Sequence, residues 1–166
     1  TGKPRRSSIE DLAAAARAQV AAGRDAVGAS VSDGGKAAFT AAWKRALAPK
    51  AYADSKDAVI RIDAVLRDPA LSAATRAQVE SLRTEHAAAH AVLDERIADA
   101  MVEQALAPAA NADPERIGTM LRRDQTIAET RFERAELNAR TLRRLRAIAG
   151  EAAAAEPKVN AAPAAP

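Results

Sequence analysis

The stretch from Ser72 to Leu106 reads SAATRAQVESLRTEHAAAHAVLDERIADAMVEQAL. Within it Val79, Leu82, His86, Ala89, Leu93, Ile97 and Ala100 recur in steps of three and four. That is the spacing of a helix laid lengthwise along another helix, because such steps keep one narrow stripe on one side of a 3.6-residue turn. Ser72 stands in front of the stripe, where its hydroxyl can accept a hydrogen bond from one of the free amides of the first turn.

The next segment, residues 107–112, carries Pro108 and Asn111 and reads as a connector. It is followed by Asp113-Pro114-Glu115, which combines an N-cap carboxylate, a proline at the first helical position and an acidic side chain near the positive end of the helix. From there Ile117, Leu121, Ala128, Phe132, Ala135, Leu142 and Leu145 mark a second seam, and Gly150 ends it. Both helices are about 35 residues long, roughly 52 Å at the rise of an α-helix. A short connector makes the pair antiparallel, so the sequence predicts a hairpin over residues 72–150.

Upstream, Ser7 and Ser8 offer caps for a helix reaching about Val27, with Ile9, Leu12, Ala13, Ala16 and Val20 at helical spacing. Residues 28–35 hold Gly28, Gly34 and Gly35 and read as a break. Helix resumes near Lys36 and continues to about Arg67. Phe39, Trp43 and Leu47 form one stripe, and Val59, Ile60, Ile62, Val65 and Leu66 another. Pro49 lies between the two and either kinks one helix or separates two, since proline lacks the amide a helix interior needs. Residues 1–6 and the Ala/Pro-rich tail 151–166 are expected to be disordered, as they have almost nothing to bury. The expectation is one all-α domain over residues 7–150, a four-helix bundle or hooked hairpin.

Composition narrows the function classes. Hydrophobic residues make up 48% of 166, yet Phe39, Trp43, Tyr52 and Phe132 are the only aromatics, so the interior must be thin and closely spaced. There is no cysteine, which removes thiolate metal ligands, disulfides and cysteine nucleophiles. Twenty-five basic residues oppose 22 acidic ones without aromatics interleaved among them, which argues against a nucleic-acid surface. No apolar run reaches the roughly 20 residues needed to cross a bilayer. A glycine-rich phosphate loop after a strand and a Ser-His-Asp context are both missing, and the expectation is a protein that is not an enzyme and needs no cofactor.

Two groups of side chains nevertheless carry chemistry. His86 and His90, four residues apart, can point the same way, and with Asp94 a further four along they could ligate Zn²⁺ or Ni²⁺. Ala87 stands where a metalloprotease would carry its glutamate. The plainer reading makes them polar seam or surface histidines. Arg140, Arg143, Arg144 and Arg146 form a run with no acidic residue among them. Either they complement the negative end of a helix or they offer a basic patch to an unfolded or acidic partner.

The stretch Leu71-Ser72-Ala73-Ala74-Thr75-Arg76-Ala77-Gln78-Val79-Glu80-Ser81-Leu82-Arg83-Thr84-Glu85-His86 resembles the opening of the long helix in the periplasmic LTxxQ-motif family of Spy- and CpxP-like chaperones and heavy-metal sensor or resistance proteins. Thr75 stands in place of the motif glutamine. Thr141-Leu142-Arg143-Arg144-Leu145-Arg146-Ala147-Ile148 is similar to the run before the family's second copy of the motif. The resemblance implies an exported, periplasmic, homodimeric helical protein that holds unfolded clients without ATP, or a metal-stress sensor using histidines. A chain that begins at Thr1 fits a processed product. A third reading is a structural or sensory helical-bundle subunit that works with a protein partner.

Overall fold

The computed structural model describes residues 6–53, 57–107 and 113–150. The tail 151–166, most of the connector with Pro108 and Asn111, and the N-terminal segment apart from Arg6 lie outside the described residues. The fold is all-α: α1 (Arg6–Ser30), α2 (Asp33–Leu47), a 3-10 turn (Pro49–Ala51), α3 (Asp57–Leu66), α4 (Ala73–Leu106) and α5 (Pro114–Ala149), with no strand among the described residues.

There is one helix more than the four expected, and Pro49 is the reason. Helix α2 stops at Leu47, Ala48 leaves helical geometry at φ −124° and ψ 54°, and the proline opens the 3-10 turn, where its missing amide costs nothing. The glycine-rich break is shorter than expected. Helix α1 runs on to Ser30, and only Val31 and Ser32 separate it from α2, whose first turn contains Gly34 and Gly35. The amides of Gly35 and Lys36 bond to the Ser32 carbonyl at 2.8 and 3.1 Å, so these glycines permit a break without forcing one.

The ends of the long helices follow their caps. The Thr75 amide donates to Ser72 Oγ at 3.1 Å, and the two hydroxyls lie 2.8 Å apart. Asp113 accepts from the Glu115 amide at 3.0 Å, Pro114 opens α5, and Gly150 closes it at φ 80°, a left-handed conformation that favours glycine.

The chain divides into two compact units. The first comprises Thr1–Asp54 and Leu93–Arg131. Its core is Ala48, Ala51, Ile97, Ala98, Ala100, Val102 and Ile127, flanked by Trp43, Leu47, Tyr52, Met101 and Leu106. Four of the seven core residues are alanine, so the backbones approach closely and the aromatics cover the seam from its edge. Lys44 reaches Asp99 at 2.5 Å and Glu95 at 3.1 Å, and the Tyr52 hydroxyl donates to Glu95 at 3.0 Å.

The second unit comprises Ser55–Val92 and Phe132–Pro166. Ile62 and Val65 of α3, Val79 and Leu82 of α4 and Leu145 of α5 are buried together, with Leu66, Leu71, Ile148 and Ala149 packed around them. Each bulky aliphatic side chain enclosed here contributes about 1.5–3 kcal/mol. Arg76 donates to the carbonyls of Leu66 and Asp68 at 2.5 and 2.9 Å, which ties the end of α3 to the start of α4. Leu145 packs beside Val79 and Leu82 while Thr141 lies against His86, so α5 descends as α4 rises. That antiparallel course is consistent with the expected hairpin.

The seam read on α4 is the buried one. On α5 only its end is: Leu145 is buried and Leu142 half-buried, but Leu121 and Phe132 are exposed, as are Ile117, Ala128 and Ala135. The rest of the buried face of α5 is Ile127, Thr130, Arg134, Asn138 and Thr141, which lead to Leu145 at steps of three and four. Thr130 satisfies its hydroxyl on the Thr126 carbonyl at 2.7 Å, which lets a polar side chain be buried without a partner on another helix.

Candidate binding site

The sequence-derived candidates of the second unit come together where α4 meets α5. His86 is only 2% exposed; its Nδ1 lies 3.0 Å from Thr141 Oγ1, while its Nε2 is enclosed with no hydrogen-bond partner. Which atom donates in the Nδ1 contact follows the tautomer, and either leaves one ring nitrogen unsatisfied in an apolar setting. Burial, and secondarily the neighbouring His90, push the His86 pKa below its ordinary value. The two rings are 5.5 Å apart between centroids and tilted by 54°.

Beside them a groove of about 340 Å³ runs between the helices, its walls made by Leu82, Ala89 and Leu137 and its rim by Glu85, Arg140 and Arg144. Arg144 donates to Glu85 at 2.7 Å, and this bond is the chief reason the Glu85 carboxyl is held below the usual range. The acidic residue missing from the arginine run therefore comes from the other helix. Arg140, Arg143 and Arg146 are exposed.

On the outer face of this same part of α5, Phe132, Ala135 and Ala139 are exposed and Leu142 is half-buried. They share a helix face with Arg143 and Arg146, which continue the stripe toward the end of the helix. Phe132 is 65% exposed. The arrangement is one exposed aromatic and two exposed alanines on a face that ends in cations.

Asp94 is half-buried one turn beyond His90 on α4. Among the described residues no three His, Cys, Asp or Glu side chains are grouped so as to hold a metal ion. A cation at His86 and His90 would need water or a second protein to complete its shell.

In the first unit the charged groups between α2 and α4 are matched. The hydrogen bond to Asp99 leads the causes that raise the Lys44 pKa, and the bond from Lys44 leads those that lower the Glu95 pKa. Sequence reasoning did not find this cluster, because Lys44 lies 51 positions from Glu95 and each group looks like an ordinary surface charge.

No family model, curated protein or solved structure matches the chain. No described helix is long and apolar enough to cross a membrane.

Proposed function

We propose that this protein is a non-enzymatic binding protein of the periplasm or another exported compartment that holds unfolded protein segments without ATP, in the manner of Spy-like chaperones. The observation that carries the reading is the exposed strip on α5, headed by Phe132 and ended by Arg143 and Arg146. A large aromatic left in water on an arginine-rich helix gives clients a weak apolar hold, and the nearby cations add attraction for acidic segments. Weak and undirected contacts suit clients that must be released without nucleotide. The LTxxQ-like opening of α4 supports the same reading.

The test is suppression of aggregation of an unfolding model client at substoichiometric and equimolar chain, without nucleotide. Suppression is expected, and Phe132→Ser or Arg143→Ser with Arg146→Ser should weaken it several-fold. Absence of suppression would remove the chaperone reading and leave a structural or sensory bundle subunit ahead.

A second reading, metal buffering, draws on the unsatisfied Nε2 of His86 beside His90. A ligating histidine is oriented through one nitrogen while the other meets the metal, which here requires the enclosed Nε2 to be uncovered. Stoichiometric Zn²⁺ or Ni²⁺ binding that disappears in His86→Ala with His90→Ala would support it; binding that persists would refute it.

A further inference from the structure

The groove between α4 and α5 in the second unit takes no part in the client reading, and its chemistry differs from that of the outer face of α5. Leu82, Ala89 and Leu137 make an aliphatic wall, and the space they border is about 340 Å³. That volume falls near the lower end for small-molecule sites. A helix of another protein, about 10 Å across with its side chains, does not fit it.

The rim carries an uneven set of charges. Arg140 and Arg144 stand four residues apart on α5, which puts both guanidinium groups on the same side of the helix. Arg144 is bonded at 2.7 Å to Glu85, the one carboxylate among the described residues that line the groove. Arg140 is exposed and has no ion-pair partner among the described residues. With His86 neutral, the groove therefore holds one positive charge in excess, which selects a monoanion over a cation.

His86 supplies a separate observation. It is 2% exposed and forms part of the groove's surface, yet its Nε2 has no hydrogen-bond partner. A buried ring nitrogen without a bond is a cost that the protomer's own packing leaves standing and an added acceptor removes. The Thr141 hydroxyl, 3.0 Å from Nδ1, can donate as well as accept, so the ring can carry its proton on Nε2 and offer a donor there. The groove must widen for a head group to reach this enclosed atom, and an Arg140 side chain held by no ion pair lets it. A carboxylate meets each requirement: it carries one negative charge, only accepts hydrogen bonds, and matches the planar fork of an arginine.

We propose that this groove binds a small aliphatic carboxylate, its chain along Leu82, Ala89 and Leu137 and its head group on Arg140 and His86 Nε2. The groove is separate from the outer strip of α5, so the proposal stands or falls without the client reading.

Octanoate is the probe, titrated calorimetrically into the full chain below its micelle concentration, with EDTA present so that a metal at the histidines contributes nothing. Saturable binding of one octanoate per chain is expected, with octanol and octylammonium roughly tenfold weaker or more, the size of one hydrogen bond to a charged group. Arg140→Gln should weaken octanoate by a similar factor, and because the position is exposed, circular dichroism should show unchanged helix content. Ala89→Leu, which fills the groove from its wall, should abolish binding, while Phe132→Ser should leave it unchanged. His86 is one of two histidines in the chain, and its ring signals, identified by their absence from His86→Leu, should shift in step with saturation. No saturable binding, octanol held as tightly as octanoate, indifference to Arg140→Gln, or a His86 signal that does not move would each overturn the proposal. Binding lost in Phe132→Ser and retained in Ala89→Leu would place the ligand on the outer face of α5 and overturn it as well.

Discussion

Acidification should loosen the second unit well before its carboxylates titrate, because of His86. The imidazole is 2% exposed, and its pKa lies below the ordinary 6.5 through burial and the neighbouring His90. In the unfolded chain the ring takes a proton near pH 6.5, while in the folded chain it resists until lower pH. The neutral ring's contribution is therefore complete above pH 6.5 and is lost as pH falls through that value toward the folded pKa. One proton bound differentially gives a slope of up to about 1.4 kcal/mol per pH unit. Glu85 and Glu95, both lowered from 4.5, contribute stability that is present above pH 4.5 and lost below it, so their effects fall in a different window. Urea unfolding of the wild type and of His86→Leu at pH 7.5, 6.5 and 5.5 isolates the effect. Between pH 6.5 and 5.5 the wild type should lose up to about 1 kcal/mol more than the variant, whatever their offset at neutral pH. Parallel curves over that interval would refute the argument that a neutral buried imidazole is part of this core.

Three other outcomes follow from packing and capping. Leu82→Ala, at a position 1% exposed, should cost about 2–5 kcal/mol in urea unfolding, whereas Phe132→Ala at 65% exposure should stay within about 0.5 kcal/mol; equal costs would mean that the inner face of α5 has been misassigned. Ser72→Ala should remove about 0.5–2 kcal/mol and speed hydrogen exchange at the Thr75 amide, which loses its acceptor. Lys44→Met should cost about 1 kcal/mol, a loss that shrinks in high salt because Glu95 and Asp99 are partly exposed; a salt-independent cost would point to packing of the lysine stem instead.

Much of the architecture was legible because it rests on local chemistry. The Ser72 cap, the Asp113-Pro114 start, Gly150 and the α4 seam each depend on residues close in sequence, and each appears where expected. Pro49 left two choices open, and the difference lay in how Ala48 and the following turn pack, which no stripe encodes. The inner face of α5 was not legible. Periodicity identifies a stripe of apolar residues but does not say whether it meets the core or the solvent, and here the stronger stripe, through Leu121 and Phe132, faces outward. Between Ile127 and Leu145 the buried face carries Thr130, Arg134, Asn138 and Thr141 at helical steps, a weak signal because such polar residues are common on surfaces. His86 was legible as a seam residue but not as a nearly inaccessible one. The partner of Arg144 was hidden because Glu85 lies 59 positions away.

The polar inner face of α5 bears on how the chain selects one packing of its long helices. Interchangeable alanines and leucines along a seam would let α5 slide by a turn, or roll about its axis toward its outer stripe, with little change in buried area. Thr141 can meet His86, and Arg144 can meet Glu85, in one alignment only. These pairs add little net strength, yet any other registry strands a buried imidazole without its bond, so they act as an index pin for helices that could otherwise settle in several neighbouring positions.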